Sequence, residues 1–102
     1  MKRARLSEAQ MLLQVHLAEL RIETVPEFPF CHGRKFRFDL AAVDHPWAFE
    51  VNGHFQGKHG SGWSNDAEKM NLAQAMGWKV FVFHNNDVLT GKAKAFIQEH
   101  LL

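Results

Sequence analysis

The stretch Arg34-Lys35-Phe36-Arg37-Phe38-Asp39-Leu40-Ala41-Ala42-Val43-Asp44-His45-Pro46-Trp47-Ala48-Phe49-Glu50-Val51-Asn52 decides how this chain folds. From Lys35 to Leu40 it alternates strictly. Phe36, Phe38 and Leu40 fall on one side of an extended chain, and Lys35, Arg37 and Asp39 on the other. From Trp47 to Asn52 it alternates again, with Phe49 and Val51 against Glu50 and Asn52. Val43-Asp44-His45-Pro46 between them reads as a turn. If that turn closes a hairpin, the strands fold back between Asp44 and His45, and Asp39 falls directly opposite Glu50. Both acids then lie on the face away from Phe36, Phe38, Phe49 and Val51. Opposed residues of an antiparallel pair hold their Cβ atoms roughly 4.5–5.5 Å apart. Two like charges so placed repel unless something positive lies between them. A divalent cation is the economical answer, and Mg²⁺ suits a few carboxylate oxygens plus water. Arg37 or Lys35 could also neutralise either acid, and a slip of one residue in register would part the two carboxylates.

Outward from this hairpin the chain is ordered simply. Ser7 and Gln10 have capping-box spacing, and Leu6 and Met11 flank the cap like a hydrophobic staple. Leu13, His16, Leu17 and Leu20 continue at helical period, predicting a helix over residues 8–23 that Thr24-Val25-Pro26 ends. Residues 53–62 carry four glycines and read as a mobile loop. A second helix is expected from Ser64-Asn65, with Asn65 and Glu68 at cap spacing and Gly77 as its stop. Trp78 to Phe83 is the most continuously apolar run and reads as a central strand covered on both faces. Residues 84–87 read as a turn and 92–102 as a closing helix. With residues 27–30 as a strand, the order is α-β-β-β-α-β-α, an α/β chain with a mixed sheet flanked by helices.

A length of 102 residues fits a single domain over 1–102. Hydrophobic residues at 46% and charged residues at 23% exclude a disordered tail, a collagen-like fibre and a coiled-coil rod. No run approaches the roughly 18 apolar residues of a membrane span. The basic start Met1-Lys2-Arg3-Ala4-Arg5 leads into Leu6-Ser7-Glu8 rather than an apolar signal core. The single Cys31 excludes an intramolecular disulfide and fits a reducing cytoplasm. A net charge of +1, with seven histidines uncounted, is compatible with a nucleic-acid partner without demonstrating one.

Four segments together carry a resemblance: Arg34 to Ala41 (RKFRFDLA), Phe49 to Gly53 (FEVNG), Asn65 to Asn71 (NDAEKMN) and Gly77 to Val80 (GWKV). In this order they resemble small phage and bacterial nucleases of the PD-(D/E)xK type, in the branch of very-short-patch-repair endonucleases and DUF559-like proteins. The resemblance covers residues 27–88. It implies a restriction-endonuclease-like core and metal-dependent hydrolysis of phosphodiester bonds. By it, Asp39 and Glu50 are the two acids, and the Val51 carbonyl is a further ligand to Mg²⁺ or Mn²⁺. The lysine usual two residues after the second acid is Asn52 here. Asn52 can hold a water or a phosphate oxygen but carries no charge. In some relatives the lysine comes from the following helix, which makes Lys69 the candidate. Glu27 corresponds to an additional acid of many members.

The chemistry so implied is in-line attack on phosphorus by water that the ion activates, with Lys69 orienting the water or offsetting charge. Lys69 could equally be a solvated helix lysine, and Glu68 a cap through Asn65. His54 and His59 flank the glycine-rich segment and suit phosphate contact or leaving-group protonation, or are simply polar loop residues. Arg34, Lys35, Arg37 and Lys58, with Lys79, could track a phosphate backbone, and the resemblance places Asn71 near the site. Trp63 could wedge between bases or pack in the core. Cys31, His32, His54 and His59 offer a zinc set, but without paired CxxC spacing. The resulting expectation is a DNA endonuclease, structure-directed, in repair, recombination or phage DNA processing. Its rival is a non-catalytic nucleic-acid-binding module on the same scaffold, which the Asn52 departure encourages. A homodimer would help so small a nuclease embrace a duplex, though no sequence feature demonstrates it.

Overall fold

The computed structural model describes residues 7–52 and 60–102, with the backbone alone over 60–66. Helix α1 (Glu8–Glu19) begins as its sequence dictates. Ser7 Oγ accepts the Gln10 N–H at 3.0 Å, and Gln10 Oε1 accepts the Ser7 N–H at 2.8 Å. Leu6, half of the expected staple, lies outside the described residues. The helix stops short of the expected residue 23. Arg21 adopts φ 68°, its N–H donates to the Ala18 carbonyl, and the Ile22 N–H reaches back to that of Leu17. This is a Schellman ending built on an arginine, so no glycine announces it.

Strand β1 (Thr24–Pro29) follows at once, slightly ahead of the expected 27–30. β2 (Arg37–Ala42) and β3 (Trp47–Asn52) form the hairpin, with Leu40 facing Phe49 and Ala41 facing Ala48. That is the register expected from a reversal between Asp44 and His45. β2 starts two residues later than expected, at Arg37, which faces Pro29 at the end of β1.

Helix α2 (Gly60–Ala75) begins well before Ser64, so Asn65 is interior to it and is not its N-cap. It ends at Gly77 (φ 98°), where the Gly77 and Trp78 N–H groups donate to the carbonyls of Gln74 and Ala73. β4 (Lys79–His84) then pairs parallel with β3. The sheet order is β1-β2-β3-β4, so β4 is an edge strand and not the central one expected. Its apolar run reflects partial cover, with Phe81 and Phe83 packed on one core and Val80 on the other, not partners on two sides. α3 (Asn85–Leu89) occupies the expected turn, and α4 (Lys92–His100) closes the chain.

The mixed sheet separates two cores. Ala9, Leu13 and Leu17 of α1, Val88 of α3 and Ala93 and Ile97 of α4 pack with Leu40, Ala42 and Phe49. Ala73 of α2 packs on the other side with Phe30, Phe38, Ala41 and Ala48. Phe38 and Phe49 therefore do not share a face, and neither do Phe38 and Leu40. The alternation of β2 breaks at Asp39, opposite Glu27, which adopts φ 52° in β1. The backbone there is too distorted for strict period-2 reading. Among the described residues no helix is long and apolar enough to cross a membrane.

Since Arg21 sits where a side chain costs roughly 1–2 kcal/mol, Arg21→Gly should raise stability by up to about 1 kcal/mol. Leu17→Ala, at a fully buried site, should cost about 2–5 kcal/mol. Urea unfolding with unchanged m-values checks both.

Candidate functional site

Asp39 and Glu50 lie one step beyond the Leu40–Phe49 pair, where carboxylates take over from the backbone ladder. The Asp39 N–H donates to Glu50 Oε2 at 3.0 Å, and the Val51 N–H donates to Asp39 Oδ2 at 2.7 Å. Each acid thus binds the opposing strand, and the two side chains meet between β2 and β3. From α2, Lys69 Nζ approaches Glu50 Oε1 at 2.8 Å, and both side chains are only 15% exposed.

The electrostatics follow from that enclosure. Burial above all pushes the Asp39 carboxyl up from its ordinary range; the Glu27 charge adds to this, while the Val51 N–H, Lys69 and Gln10 oppose it. Glu50 is pushed up by burial first and then by the Asp39 charge, against Lys69 and the Asp39 N–H. Among the described residues, Lys69 alone does not compensate both acids.

Gln10 is a neighbour that sequence reasoning missed. Its side chain lies close enough to Asp39 to favour the charged carboxylate slightly, while its Oε1 holds the helix cap. Its capping-box spacing already accounted for its presence, and only its burial, 9% exposed on α1, marks a second role.

The other candidates divide. Glu27 sits between the Pro26–Leu40 and Phe28–Phe38 pairs, at the level of Asp39, which feels its charge. Asn52 is exposed at the end of β3, in register with His84 of β4. Arg34 donates to Glu68 at 2.7 Å and lies 4.6 Å above the Phe36 ring. Glu68 is therefore Arg34's partner rather than a helix cap. Arg37 donates to the Glu27 carbonyl at 3.3 Å, and Lys35 is exposed. Asn71, exposed on α2, lines a shallow groove with Arg34 and Glu68. His54, Lys58, His59 and the Trp63 side chain lie outside the described residues. So does half of the zinc set, whose Cys31 packs beside the Phe30 cluster. Among the described residues, no three His, Cys, Asp or Glu side chains gather into a metal cluster. Two carboxylates and the adjoining Val51 backbone are hard oxygen donors, few in number. That suits Mg²⁺ or Mn²⁺ retaining its waters better than zinc.

No protein-family model and no curated protein matches the sequence. The fold does match a solved structure, the catalytic domain of the homing endonuclease I-Bth0305I. The TM-score is 0.72 with 17% identity, over 91% of this chain and 92% of that one. The α/β architecture, a four-stranded mixed sheet between helices, is thus that of a nuclease-like fold.

Both acids bind protons more tightly folded than unfolded. Their contribution to stability is full below the ordinary carboxylate range and is lost as pH rises through the raised values. Asp39→Asn should therefore raise the Tm of chelator-treated protein at pH 7 and leave it nearly unchanged near pH 3. Relief of up to about 1 kcal/mol of like-charge repulsion moves a domain this size by about 4–8 °C. Calorimetry at the two pH values reads the difference.

Proposed function

We propose that this chain is a metal-dependent nuclease that hydrolyses phosphodiester bonds in DNA. The observation that carries the reading is the half-buried Asp39–Glu50 pair with Lys69 on Glu50, a cluster with more negative charge than the described residues around it neutralise. The likeness of the fold to a homing endonuclease catalytic domain supports it.

In this reading Asp39, Glu50 and the Val51 carbonyl hold Mg²⁺ or Mn²⁺, with Glu27 beside them. When bound, the ion supplies Lewis acidity at the phosphoryl group and activation of water. Glu50 and Asp39 fix its position, because each is already anchored to the opposite strand. Lys69 holds the attacking water in line or offsets charge as it builds on phosphorus. Its position on Glu50 supports its standing in for the lysine absent at Asn52. Asn52 and His59 then serve water, phosphate or the leaving group. Arg34, Lys35, Arg37, His54, Lys58 and Asn71 take the phosphate backbone, with Arg34 exchanging Glu68 for phosphate. So small a domain suits recognition of DNA structure rather than long sequence, as in repair, recombination or phage DNA processing.

The neutral Asn52 favours a second reading, a binding module without catalysis. A cleavage panel of linear, nicked, flapped, branched and single-stranded DNA, with Mg²⁺, Mn²⁺ or chelator, separates them. Metal-dependent cleavage should fall at least about 10²-fold in Asp39→Asn, Glu50→Gln and Lys69→Met, with folding retained. A folded wild-type chain that binds these DNAs but cuts none with either metal establishes the binding module instead.

A further inference from the structure

The two edges of the sheet are protected unequally. β1 carries Pro26 and Pro29 and the kinked Glu27, devices that keep an edge from pairing with another chain. β4 (KVFVFH) has no proline, acid or bulge across Val80-Phe81-Val82-Phe83, and among the described residues no strand lies on its outer side. Six residues of high β-propensity and low charge on an open edge form an aggregation template unless something covers them.

The backbone specifies what can cover them. The Lys79 N–H donates to the Pro46 carbonyl, toward β3. By alternation, Phe81 and Phe83 also turn their peptide groups to β3, and Val80 and Val82 present theirs outward. Val82 is 44% exposed. Beside the strand, Phe96 of α4 is 41% exposed and contacts Phe83 at 5.8 Å between ring centres. Phe96 lies between two grooves of about 410 and 370 Å³. Lys79 and His100 line the first; Asp87 and Glu99, with Lys92, line the second.

We propose that the outer edge of β4 is a dimer interface, paired antiparallel with β4 of a second copy of this chain. Antiparallel pairing reverses the partner, so the Lys79–His100 end of each copy meets the Asp87–Glu99 end of the other. The edge is therefore self-complementary in charge, as a two-fold interface must be. Outward groups at Val80 and Val82 put the two-fold axis at Phe81 or at Val82, and either choice covers the Val82 side chain. The Phe96 rings flank the joined sheet. A lysine in mid-strand is the usual guard of an edge that stays single, and β4 has none there.

Sedimentation equilibrium of the full chain, with hydrogen exchange on the same samples, tests this. Wild type should dimerise, with Val80 and Val82 amides protected in proportion to dimer. Val82→Lys should weaken association by roughly tenfold or more while keeping the native circular dichroism. Val43→Lys, in the β2–β3 turn, should leave association unchanged. A wild-type chain that stays monomeric at its highest soluble concentration overturns the proposal. So does a dimer indifferent to Val82→Lys, and so does protection of Val80 and Val82 that appears only when duplex DNA is added.

Discussion

Two carboxylates replace the hydrogen-bond ladder at the point where β2 and β3 part. Asp39 and Glu50 each accept an N–H from the facing strand, and this reciprocal clasp holds the hairpin open without leaving those donors unpaired. An ordinary ladder would bring backbone to backbone and expel the acids to solvent. Here the side chains are drawn inward and lose water, and the Asp39 charge further raises the proton affinity of Glu50. The polarity of the site, the raised proton affinity of its acids and the position of Lys69 all follow from that substitution. Burying one lysine against two acids is tolerable only if a second positive charge or a proton completes the set.

Helix α2 is fastened by adjacent residues that point to different partners. Glu68 holds Arg34 in the β1–β2 connection, and Lys69 holds Glu50 in β3. The Arg34 pair is half-exposed and contributes little; its interest is that it occupies a cation otherwise suited to phosphate. The Lys69 pair is enclosed, and removing either partner strands a buried charge. The same turn of helix thus carries one interaction that is easily exchanged and one that is not.

The hairpin was legible in the sequence because a two-residue period and a Pro-containing turn fix its register, and the Asp39–Glu50 opposition followed from register alone. Other features left no such mark. Arg21 ends α1 in a conformation usually given to glycine. The Trp78–Phe83 run looked central because burial on both faces and pairing on both sides give the same hydrophobic pattern; only the topology separates them. Phe38 and Leu40 parted because the distortion opposite Glu27 depends on tertiary context. Gln10 was hidden by having two uses, one local and visible, the other across the core.

That double use of Gln10 has a consequence for the helix start. One side chain serves both the first turn of α1, where it accepts the Ser7 N–H, and the surroundings of Asp39, whose charged form it favours. Free energy linked through a shared group is reciprocal: if the capped Gln10 favours the charged acid, the charged acid favours the capped Gln10 to the same extent. The opening of α1 is therefore a distant gauge of the charge on Asp39, and exchange at its first amides would register events in the sheet's interior.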